Sequence, residues 1–62
     1  MFILDIDTST DAFGDEPHYE LGRLLLEVAE RIGQEETEGT LRDVNGNRVG
    51  TFTLTTRKAV TR

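Results

Sequence analysis

Arg42 and Arg48 stand either side of Asn45-Gly46-Asn47, and Arg57 and Lys58 follow the next apolar stretch. Arginine suits phosphate because its planar fork donates two parallel hydrogen bonds, and such charge-assisted bonds are about twice as strong as neutral ones. With the exposed amides expected at Asn45 and Asn47, these four cations form a candidate ligand site for an anionic small molecule such as a nucleotide. The same run starts like a calcium loop, with Asp43, Asn45 and Asn47 at alternate positions. Such a loop wants glycine at its sixth position and a bidentate glutamate at its twelfth; here those positions hold Arg48 and Leu54. Asp43 and the asparagines are therefore expected to bond the turn's own backbone. His18 is the sole histidine and there is no cysteine, so no metal-ligand spacing exists. No serine, histidine and acid suggest a triad, and no glycine-rich phosphate loop follows a strand. The expectation is a protein that is not an enzyme, with no catalytic residue, cofactor or metal.

The elements that must position these groups are legible from periodicity. Phe2, Leu4 and Ile6 alternate with Ile3, Asp5 and Asp7 as in a strand. Thr8 to Gly14 reads as a polar turn anchored by Phe13. Asp15-Glu16-Pro17 suits a helix N-terminus, where proline's missing N–H is not needed and carboxylates face the positive dipole end. The helix runs to about Ile32 and is closed by Gly33 as its C′ residue. Leu21, Leu24, Leu25, Val28, Ala29 and Ile32 form its expected buried stripe. Strands at about 40–44 and 48–55 follow, joined by Asn45-Gly46-Asn47. Asn-Gly is the strongest short hairpin signal, because a type I′ turn needs positive φ at both central residues. The expected fold is α+β: a single small β-α-β-β domain over 1–62, ordered to about 55, with a basic tail at 56–62. Its sheet has three strands, the last in the middle, and one helix covers one face. Ile3, Val44 and Val49 are expected on the other face.

Sixty-two residues make a thin core, and without cysteine no disulfide can supplement it. Oligomerisation is the remaining common remedy. Tyr19, Gly22, Leu26, Ala29 and Gly33 share a second helix face, roughly 120° from the main stripe at about 100° per residue. That face is the expected interface of a homodimer or higher homo-oligomer. Charge is split along the chain. Residues 1–38 hold eleven acids and two bases, a balance of -9, and residues 39–62 hold five bases and one acid, a balance of +4. The overall charge of -5 and the few aromatics argue against nucleic acid as partner. No stretch is apolar enough to span a bilayer, and no basic leader precedes the first strand, so the expected location is the cytoplasm.

Two resemblances bear on function. Asp5-Ile6-Asp7-Thr8 after an apolar strand resembles the opening motif of haloacid dehalogenase-type phosphatases, but the larger core, later lysine and metal-binding acids those enzymes need do not fit in 62 residues. More broadly, the acidic first strand, the Leu/Glu/Arg-rich helix and the Leu-Arg-Asp-x-Asn-Gly-Asn-x-Val-Gly hairpin at Leu41–Gly50 look like a group of small uncharacterised proteins of phages and prophages. That resemblance implies a viral accessory protein in the host cytoplasm that acts by binding. It could counter host defence by sequestering a nucleotide signal. The alternative is an inhibitor of a host enzyme or defence complex, bound through the acidic face of Asp5, Asp7, Asp11, Asp15, Glu16 and Glu20.

Overall fold

The computed structural model describes residues 1–56. It shows an α+β domain: strand β1 (Phe2–Ile6), a 3-10 turn at Asp11–Phe13, helix α1 (Pro17–Gly33), and strands β2 (Glu38–Arg42) and β3 (Arg48–Leu54). The sheet is antiparallel with order β1-β3-β2, so the last strand lies in the middle as the sequence predicts. Leu4 pairs with Phe52 and Phe52 with Gly39; Ile6 pairs with Gly50 and Gly50 with Leu41. Directly opposite residues share a face, so these rows make the side that α1 covers. Phe13, Leu24, Val28, Leu41, Val49 and Phe52 are the buried core, edged by Leu4, Ile6, Ala12, Leu21 and Ile32. The other side carries Ile3, Asp5, Glu38, Thr40, Thr51 and Thr53. Phe13 anchors the loop as expected, held by the 3-10 turn.

Four expectations are corrected. Val49 belongs to the core and not to the open face. Leu41 stands opposite Gly50 but Arg42 opposite Arg48, so Val49 is an extra residue in β3, and this bulge rotates it under the helix. The hairpin is not a type I′ turn. Only Gly46 has positive φ, at 87°, and the Gly46 amide donates to the Asp43 carbonyl at 2.9 Å. A turn at Asp43–Gly46 that ends on this left-handed glycine, with the Asp43 amide donating to the Asn47 carbonyl at 2.9 Å, is the three-residue hairpin form. The helix does not close on Gly33 as C′: Gly33 is its last helical residue, and the left-handed position falls on Glu35, at φ 68°. Finally, Leu25 and Ala29 are exposed. The buried face of α1 is centred on Glu20, Leu24 and Val28, one turn apart each. Glu20 is buried there because Arg23 and the Val44 amide meet its carboxylate.

Gly50 is glycine for a steric reason. A Cβ there would run into the Asp5 carbonyl oxygen and lie 3.1 Å from the Ile6 Cα, so the β1–β3 seam closes only over a bare backbone.

Candidate binding surfaces

The hairpin already holds an anion, and it is the protein's own. The Asp43 carboxylate, 4% exposed, accepts the backbone amides of Asn45 and Asn47 at 2.9 Å each. It also accepts the Asn47 side-chain amide at 3.2 Å and the Thr10 hydroxyl at 2.7 Å. Burial works to raise this carboxyl, yet the Thr10, Asn47 and Asn45 donors together hold it below the usual aspartate range. The Val44 amide is taken by Glu20 Oε2 at 3.1 Å. Arg23 grips the same carboxylate twice, through Nε at 3.0 Å and Nη2 at 2.8 Å. That guanidinium holds Glu20 below the usual glutamate range against its burial, and the Val44 amide adds to it. Two carboxylates thus tie the hairpin to the loop at Thr10 and to the helix.

The amides of Asn45 and Asn47 expected to face a ligand are therefore occupied, and Asn47 contributes its side chain to the same internal anion. Those amides are taken out of the candidate site, although both residues remain exposed beside it. Arg42 and Arg48 remain in it. They stand directly opposite each other across β2 and β3, both exposed. Each neighbours a core residue, Leu41 or Val49, so both side chains leave the sheet on the side away from α1. Arg42 Nη1 donates to the Gly46 carbonyl at 3.1 Å, which fixes its fork. Among the described residues, the ion pairs involve only Arg23 and Arg31 as cations. A like-charged cross-strand pair is destabilising by itself and is relieved by an anion placed between the two forks. Arg57 and Lys58 lie outside the described residues.

The second surface is the outer face of α1. Tyr19 is 69% exposed, Leu26 74% and Leu25 44%, and Gly22, Ala29 and Gly33 lie among them. With the buried face centred on Leu24, this face points directly away from the sheet rather than 120° from the stripe. A helix covering a sheet ordinarily turns charged residues to that side. Here the charges Arg23, Glu27 and Arg31 are gathered on the flank towards β2, where they pair with one another. A groove of about 640 Å³ runs between His18, Tyr19, Gly22, Leu25 and Leu26, with Arg23 at its border. A Cβ built on Gly22 or Gly33 meets nothing within 4 Å, so the small residues leave open space outside the helix.

The Asp7 carboxylate accepts the Ser9 hydroxyl at 2.7 Å and the Ser9 amide at 2.9 Å, and these bonds hold it below the usual aspartate range. It caps a turn beside an exposed Asp5. Among the described residues no group of three or more His, Cys, Asp or Glu is arranged to hold a metal. No helix among them is long and apolar enough to cross a membrane. Sequence reasoning missed Glu20 as a structural carboxylate; its signal was the i, i+3 spacing to Arg23. No protein-family model matches the chain, and neither a curated protein nor a solved structure is detectably similar to it.

Proposed function

We propose that the chain is a non-enzymatic binding protein that assembles through the outer face of α1 and takes an anionic small molecule, such as a nucleotide, at Arg42 and Arg48. The phage-type accessory role, including evasion of a host defence signal, is part of this proposal and rests on the hairpin resemblance. The observation that carries the binding reading is the exposed cross-strand arginine pair without a carboxylate partner among the described residues.

The assembly follows from size and shape. A two-fold axis at the level of Leu24 brings Leu26 level with the partner's Gly22, and Tyr19 level with the partner's Ala29. Each large side chain then meets a small residue, which lets antiparallel helices approach closely. Full burial of a leucine side chain contributes about 1.5–3 kcal/mol. Such a dimer places its two sheets on the outside, so each protomer carries its own arginine pair on an open sheet face.

Calorimetry against linear and cyclic nucleotides tests the ligand. Wild type is expected to bind at least one, and the Arg42→Ala/Arg48→Ala double variant is expected to lose that binding while keeping the wild-type melting temperature or raising it. Silence of wild type across the panel rejects the nucleotide. Sedimentation tests the assembly separately. Leu26→Glu puts a charge in the apolar contact and is expected to give a monomer; a wild-type monomer at high concentration rejects the interface.

A further inference from the structure

The outer edge of β1 is unguarded. Met1 and Thr55 exchange backbone bonds, and the Asp7 amide donates to the Val49 carbonyl at 2.7 Å. Odd-numbered residues of this segment therefore face β3, and the N–H and C=O groups of Phe2, Leu4 and Ile6 point outward. No partner for them occurs among the described residues. Ile3 is 55% exposed and Phe2 45%, so the edge is apolar as well as unpaired. Natural edges of this kind are usually blunted by a lysine, a proline or a covering loop, and Phe2–Ile6 contains neither lysine nor proline.

We infer that this edge accepts an extended segment of another protein as a fourth strand, and that the segment carries basic side chains alternating with apolar ones. Main-chain bonds to Phe2, Leu4 and Ile6 supply the affinity, and the flanking side chains supply selection. Charge decides the occupant. Asp5 is exposed on the open face beside the edge, with Asp7 exposed just beyond it and Asp11 exposed in the 3-10 turn that follows. None of the three is in an ion pair among the described residues. A second copy of β1 paired over Phe2, Leu4 and Ile6 sets Asp5 opposite Ile3, so the Asp5 carboxylate gains no cation from it. A basic strand finds a carboxylate opposite its outward side chains. The main-chain groups it uses face away from β3, whereas the arginine pair stands across the β2–β3 pairing, with Arg48 next to the residue that accepts the Asp7 amide.

A capped peptide of alternating valine and lysine, titrated into the full chain, tests it by amide hydrogen exchange. Protection is expected at Phe2, Leu4 and Ile6 and not at Glu38, Thr40 and Arg42. A valine–glutamate peptide is expected to bind about tenfold more weakly, as exposed cross-strand charge pairs allow. Asp5→Lys is expected to reverse that preference, and the milder Asp5→Asn to narrow it. Absence of peptide protection at the three amides overturns the inference, and so does equal binding of both peptides. Protection that grows with protein concentration without peptide overturns the choice of occupant in favour of a second copy.

Discussion

The two edges of this sheet are finished in opposite ways. Along β2, helix arginines reach over and bond the outward carbonyls: Arg31 Nη1 donates to Thr40 O at 2.8 Å, and Arg23 Nη2 to Arg42 O at 3.3 Å. Arg31 is held there by Glu36 at 2.9 Å and lies 5.0 Å over the Phe52 ring. Along β1 nothing comparable occurs among the described residues. Both strands are five residues long, so length does not explain the difference. The cause is the helix. Its charged flank faces β2, whereas the chain beside β1 is an acidic loop with no arginine or lysine before Arg23. A carboxylate can cover an amide but never a carbonyl, so an acidic neighbourhood leaves half of an edge unprotected.

The most damaging way to break the contrast is at the β1–β3 seam. Gly50→Val is expected to expel β1 from the sheet, because its side chain meets the Asp5–Ile6 backbone rather than a movable group; circular dichroism should show no cooperative melt. Acid comes next and strikes the β2 side. The native Asp43 and Glu20 carboxyls are depressed, so their contribution is complete above the unfolded values near pH 4 and is lost as pH falls through the native ones. Stability should be level from about pH 5 to 7 and drop below about pH 4, with the Asn45 and Asn47 amides exchanging before those of β1. Gly46→Val tests the hairpin locally. A Cβ there has open space, so the loss is conformational, at least about 1–2 kcal/mol by urea denaturation. Arg31→Met should have the smallest effect, about 1 kcal/mol. It sharpens the comparison, since the valine–lysine peptide should then protect Glu38 and Thr40 as well.

Legibility followed the range of the interactions. Pro17, the hairpin and the order β1-β3-β2 could be read because each rests on neighbours in sequence or on strand alternation. The bulge at Val49 could not, since one inserted residue leaves composition unchanged and reverses which side chains face the helix. Nor could the burial of Glu20: a glutamate becomes a core-facing residue only once Arg23 and the Val44 amide stand around it. The candidate site was half visible. Arg42 and Arg48 flank the turn in sequence as in space, but the amides between them were already claimed by Asp43, a residue that sequence reasoning had assigned to the turn itself. The outer face of α1 was seen, and its direction was not, because the direction depends on which residues the sheet accepts.

The pairing of the first strand with the last has a consequence in time. During synthesis Phe2–Ile6 is made long before its partner at Gly50–Leu54. At translation rates of about 5–20 residues per second, that wait lasts roughly 2–10 s. The β2–β3 hairpin, closed by three loop residues, forms within microseconds of its completion. The newborn chain therefore carries an apolar segment whose backbone is unmatched on both sides, and only β3, the last made of the three strands, covers one of them.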